Sequence, residues 1–276
     1  MDINTVTEIR NLAFHQKYVH NVPMLYELIY FLSLVLVIPL LPLLAWDAVQ
    51  TRKRVGIYPA AKHPKGIVDG GPQTLTILTI GESTMAGWGI PEHVDSFTGQ
   101  CAQLLAKRLH KTVHWEVLAR HGLTAQDARK EYLHRIAPVD LIFIGLGASD
   151  AFSCHSPLTF KRAIQRLIKD LQKKYPHAIL VFMNVPPIAQ FPAFPLSLRL
   201  TVGSLAKAYH SILLSLHDPQ KKIFYSSAKF DLTEAKRRMG QEHTLEDFFV
   251  DGVHPSKLCN RLWAEELDAF LCKNVW

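Results

Sequence analysis

From residue 74 onward, short apolar runs alternate with longer stretches whose apolar positions recur at helical spacing. The runs Leu75–Ile80, Val113–Ala119, Leu141–Leu146, Ile179–Val185 and Ile223–Tyr225 are rich in β-branched residues and short enough to be buried strands. Amphipathic patterns follow at Phe97–Leu109, Ala125–Ile136, Leu158–Lys174, Leu198–Leu216 and Lys257–Leu271. Strand and helix in regular alternation predict βαβ units, and therefore an α/β fold: a doubly wound, three-layer α/β/α sandwich around a five-stranded, mostly parallel sheet. Right-handed crossovers would then bring the carboxyl ends of all strands to one edge.

The first quarter of the chain has a different pattern. "LIYFLSLVLVIPLLPLLAW", Leu28 to Trp46, runs 19 residues without a charge. As a straight helix it would be about 28 Å long, close to the hydrocarbon thickness of a bilayer. The organisation expected is an N-terminal segment (1–23), a membrane anchor (24–48), a linker rich in Pro, Gly and Lys (49–73) and one folded domain (74–276). Basic residues Arg52, Lys53, Arg54, Lys62 and Lys65 outnumber Arg10 and Lys17 on the other flank, which favours a bacterial inner-membrane protein with its domain on the cytoplasmic side. Pro39 and Pro42 leave open a re-entrant hairpin or an in-plane anchor.

Composition narrows the function classes. The 276 residues carry a formal net charge of +7, but Lys and Arg are spread along amphipathic helices such as "FKRAIQRLIKDLQKKYP". That distribution describes solvated helix faces, with anionic headgroups a fitting partner and nucleic acid excluded for want of any motif. The four cysteines are far apart and form no C-x-x-C pair. "HKTVH" has zincin-like spacing but lacks the glutamate beside its first histidine, so neither metal nor cofactor is expected.

Chemistry gathers at the expected edge. "TLTILTIGESTMAGWG" ends its strand by presenting Ser83 on a turn. Gly122 follows the second strand, "GLGASD" with Ser149 and Asp150 follows the third, and "DGVHPS" places Asp251 and His254 just before the last helix. Serine, histidine and aspartate are the members of an acyl-transfer triad. Taken singly, each has a plainer use: Ser83 as a helix cap, Asp251 as a turn former, His121 and His155 as loop residues. Neither a G-x-G-x-x-G loop nor a G-x-S-x-G elbow is present.

The set resembles the SGNH/GDSL hydrolases. "TIGESTMAG" is similar to their first block, Gly122 to the second-block glycine, "GASD" to the third block Gly-x-Asn-Asp, and "DGVHPS" to the closing Asp-x-x-His. The resemblance covers Leu75 to Leu271 and implies a flavodoxin-like sheet and a lipase- or lysophospholipase-like serine esterase. It casts Ser83 as nucleophile, His254 as base and Asp251 as its orienter. The oxyanion would meet Ser83 and Gly122 N–H groups and Ser149, which stands where the family has asparagine. A hydroxyl there is a shorter donor than an amide, implying slow or restricted turnover. Glu82 replaces the usual aspartate and, lying outside the triad, is expected to matter little. Phe191, Phe194 and Leu196 are the expected apolar wall for an acyl chain, and a small-molecule or lipid ester is the expected substrate. O-acyl transfer, or a weak member that only binds lipid or a partner, are the alternatives.

Overall fold

The computed structural model describes residues 27–32, 38–56, 58–132, 138–191, 193–227, 232–240 and 242–276. Helix α1 (Leu41–Val55) precedes β1 (Lys65–Glu82), α2 (Phe97–Leu109), β2 (Lys111–Arg120), α3 (Ala125–Tyr132), β3 (Leu141–Gly145) and α4 (Ala148–Phe152). Then come α5 (Pro157–Lys174), β4 (Ile179–Phe182), α6 (Leu196–Ser215), β5 (Ile223–Tyr225), α7 (Leu232–Met239), α8 (Leu245–Phe248) and α9 (Lys257–Asn274). The five strands form one parallel sheet in the order β2-β1-β3-β4-β5, the doubly wound arrangement that the strand–helix alternation predicts.

Alternation along β1 divides the interior in two. Leu78 and Ile80 point into a core shared with Ile142, Ile144, Leu180 and Phe182 and covered by α3, α5 and α6. Leu75 and Ile77 point the other way, against Phe97 and Leu105 of α2 and Ala264, Leu267 and Leu271 of α9. A strand buried on both faces has no polar side to show, which is why β3 reads simply Leu-Ile-Phe-Ile-Gly. The Arg108–Asp268 ion pair, 2.7 Å long, ties α2 to α9 on the second face.

The amino-terminal part differs from expectation. Among the described residues no helix is long and apolar enough to cross a membrane. Residues 27–32 are helical, 33–37 fall outside the described residues, and α1 opens only at Leu41 with proline in its first turn. From there α1 runs out of the apolar stretch into Asp47, Gln50 and the basic triplet Arg52–Arg54. Among the described residues, the membrane anchor expected over 24–48 and the cytoplasmic orientation argued from it therefore have no spanning helix; the expected segment 1–23, with 24–26, lies outside those residues.

These segments instead lean on the domain. Tyr30 Oη donates to the Cys154 carbonyl at 2.6 Å, and Glu27 accepts from the Leu158 N–H at 2.8 Å. Ser197 of α6 donates to Asp47 of α1. The expected linker, 49–73, contains the end of α1 and the first half of β1.

Candidate active site

Strand β1 ends in Glu82 and turns at once into a single 3-10 turn, Ser83–Ala86. Ser83 adopts φ 43°, a left-handed conformation that non-glycine residues rarely take. Beneath the turn, Met85 is buried against Gly81 of β1 and Gly145 of β3. Two neighbouring strands without side chains at their ends give the thioether its seat and fix the height at which Ser83 stands.

Ser83 Oγ lies 2.6 Å from His254 Nε2, and His254 Nδ1 lies 2.7 Å from Asp251 Oδ2. The remaining Asp251 oxygen accepts the backbone N–H groups of Val253 at 2.9 Å and His254 at 2.8 Å. One carboxylate thus closes its own turn and orients the imidazole. Burial pushes the Asp251 carboxyl up, but the hydrogen bonds and charge of His254 outweigh it and hold the group below the usual carboxylate range. Such a group stays anionic where esterases work, so it can stabilise an imidazolium.

Gly122 follows β2 at φ 70°, and a Cβ added there would meet nothing within 4 Å. The glycine is required by its backbone angle, and the space before it is open. Asp150 is fully buried and secures this corner: it accepts from Ala125 N at the start of α3 and pairs with His155 Nδ1, both at 2.9 Å. His155 is therefore a satisfied loop residue, as its plainer reading had it.

Ser149 does not stand free as an oxyanion donor. Its backbone N–H donates to Glu82 Oε2 at 2.6 Å and its hydroxyl donates to the same oxygen. Glu82 Oε1 accepts from the Gly147 N–H at 2.9 Å. Glu82, expected to matter little, is the residue that holds the turn after β3.

Two aromatic residues that the sequence reading missed, Trp88 and Tyr58, pack against His254. The Trp88 ring lies 5.2 Å from it and stacks on His121 at 4.0 Å between centroids, while Tyr58 approaches edge-on at 6.5 Å. Burial first, then the charges of His254, Arg52 and Arg120, lower the His121 pKa, so its imidazole tends to neutrality on the Trp88 face. Glycines flank Trp88 as Gly87 and Gly89, both at positive φ, and that pattern was the available signal.

An apolar cavity of about 100 Å³ opens beside the Ser83 turn, lined by Thr84, Pro187, Phe191, Phe249, Val253 and Leu262. Arg238 and Glu266 also line it. Of the three residues expected to form an acyl wall, Phe191 faces this cavity. Phe194 is buried in the core beneath it, and Leu196 points to solvent at 65% exposure. Among the described residues no group of His, Cys, Asp and Glu could hold a metal ion.

A profile of the GDSL-like lipase/acylhydrolase family matches residues 79–262, which spans Ser83, Gly122, Ser149, Asp251 and His254. The chain belongs to that family. Solved structures carry the same fold as this GDSL-like chain. A member of the lipolytic protein G-D-S-L family from Veillonella parvula is 16% identical, with 71% of this chain and 98% of that one covered and a TM-score of 0.51. A lipase from a goat rumen metagenome is 15% identical, covering 71% and 96%, at TM-score 0.53. A family two carbohydrate esterase from Clostridium thermocellum is 16% identical, covering 74% and 65%, at 0.51. A comparison with curated proteins gave no match.

Proposed function

We propose that this GDSL-like protein is a serine esterase that cleaves carboxylic esters through an acyl-enzyme. The observation that carries the reading is the unbroken hydrogen-bonded chain from Ser83 through His254 to Asp251. In this mechanism His254 takes the Ser83 proton as Oγ attacks the ester carbonyl. Asp251 holds the imidazole in the tautomer that presents Nε2 and stabilises the imidazolium. The N–H groups of Ser83 and Gly122 receive the oxyanion. His254 then delivers its proton to the leaving alcohol, and water, deprotonated by the same histidine, resolves the acyl-enzyme. The apolar cavity beside Thr84 suits the acyl chain.

A fluorophosphonate probe tests this directly. It should label the wild-type protein at Ser83 and leave Ser83→Ala unlabelled. Absence of labelling in the wild type at high probe concentration would defeat the reading.

The lipid character of the substrate draws support from one surface. Leu44, Asp47 and Thr51 face the domain, so α1 turns Trp46 and Val49 outward at 65% and 50% exposure, with Arg52, Lys53 and Arg54 in its last turn. Leu196 and Leu200 of α6, one turn apart, add two more exposed apolar side chains beside Ser197, which bonds to Asp47. An apolar face ending in basic residues suits an anionic membrane surface lying along it, with no span required. Each such side chain buried in lipid contributes about 1.5–3 kcal/mol. The protein should cosediment with vesicles of mixed phosphatidylcholine and phosphatidylglycerol. Trp46→Glu combined with Leu200→Glu should cut the bound fraction at least about tenfold; unchanged binding would remove this surface from the account.

A further inference from the structure

Glu82 and Ser149 depart together from the family pattern, and they touch. The Glu82 carboxylate is buried, with 6% of the residue exposed, and its described hydrogen bonds all come from one segment: the N–H of Gly147, the N–H of Ser149 and the hydroxyl of Ser149. Two of these partners are amides, which can only donate. The third is a hydroxyl, which can donate or accept. A proton arriving on Glu82 therefore has one place to point, the Ser149 oxygen, and on doing so it reverses that single bond.

We infer that Glu82 gates the third oxyanion donor: ionised, it keeps the Ser149 hydroxyl hydrogen for itself; protonated, it donates to Ser149 Oγ and releases that hydrogen toward the oxyanion beside Ser83. No group enters or leaves except the proton on Glu82. The inference rests on the esterase reading above and deepens it by naming what controls turnover.

The surroundings place the transition in a useful range. Burial, opposed by the Ser149 hydrogen bonds and reinforced by the charge of Asp150 on α4, raises the Glu82 pKa to about 7. Asp150 is the charged group facing Glu82 from α4; its own partners are Ala125 N of α3 and His155. From the loop before α9, His254 bonds to the neighbouring Ser83 and Asp251 to His254, while His121 after β2 stacks on Trp88. Other ionisations in the site act on turnover whether or not Ser149 is present. The ratio of wild-type to Ser149→Ala turnover cancels those contributions.

The experiment is the pH profile of that ratio for kcat on a soluble short-chain ester, between pH 5.5 and 8.5. Below about 7 the ratio should lie between about 10 and 100, since one oxyanion donor is worth on the order of 10²–10³ at its best geometry. Above 7 it should fall toward unity. In a Glu82→Gln background the amide fixes the bond to Ser149, and the ratio should lose its pH dependence. A flat wild-type ratio overturns the gate. So does a wild-type infrared spectrum lacking, at pH 6, a protonated-carboxyl band that disappears by pH 8 and is absent from Glu82→Gln. Fluorophosphonate labelling separates the two failures. A labelled, active enzyme with a flat ratio loses only the gate, whereas an unlabelled, inactive one loses the esterase reading and the gate with it.

Discussion

Replacing His254 with alanine is expected to lower kcat on a soluble ester by about 10⁴- to 10⁶-fold while leaving KM nearly unchanged. The imidazole is the only group within hydrogen-bond reach of Ser83 Oγ among the described side-chain bonds, at 2.6 Å, so nothing else there takes the proton. Asp251→Asn should cost less, on the order of 10⁴-fold, for a specific reason. An asparagine oxygen can still accept the Val253 and His254 N–H groups and keep the turn, but its amide would face His254 Nδ1 and impose the wrong tautomer. Steady-state kinetics with a thermal melt on each variant checks this; losses below tenfold in His254→Ala would remove histidine from the mechanism.

The same pair fixes a pH expectation. The Asp251 carboxyl is held below its ordinary value in the folded protein, so its contribution to stability is complete above the unfolded value. It is lost only as pH falls through the folded one. Decline of activity between pH 7 and 5 should therefore not come from protonation of Asp251.

Gly81→Ala is expected to damage both stability and function although it adds one methyl group. That Cβ would lie 2.5 Å from Met85 Cγ and 2.7 Å from the Gly145 carbonyl oxygen. Neither side can give freely, because one is the buried seat of the Ser83 turn and the other is β3 backbone. Overpacking of this kind costs about 1–3 kcal/mol, or roughly 2–12 °C in Tm for a domain of this size. The displaced turn should lower kcat by about 10- to 10²-fold, the upper figure being what an ångström of misplacement can cost. Gly122→Ala is the matched control: no atom lies within 4 Å of its Cβ, and only its φ of 70° opposes the change. It should cost about 1–2 kcal/mol in stability. A Gly81→Ala protein melting with the wild type would show that Met85 does not set the turn.

The sheet was legible because each central strand is buried on both faces, and an uninterrupted apolar run between amphipathic helices has few other meanings. The first half of β1 was not. Its pairing with β2 shifts register repeatedly between Lys65 and Gln73, and no simple alternation survives that. Gly70 and Gly71 look like linker residues, yet a Cβ on Gly71 would sit 2.0 Å from the His110 carbonyl oxygen. They are glycine because the backbones approach closely there.

The candidate site divides in the same way. Ser83, Asp251 and His254 could be read from types and order, since their chemistry depends on identity. The bond between Glu82 and Ser149 spans two strands, and no local pattern announces it. Phe194 and Leu196 were grouped with Phe191 by composition alone, but neighbours on a turning loop face different ways, and one went to the core and one to solvent.

The turn that carries both Asp251 and His254 has a consequence for how the protein is made. Its internal bonds span two and three residues, whereas its junction with Ser83 spans 171. Histidine and carboxylate can find each other while most of the chain is still unstructured. The serine waits for a far longer loop closure than the turn does. A partly folded chain thus holds Ser83 without its imidazole partner, which arrives only when that 171-residue separation is closed.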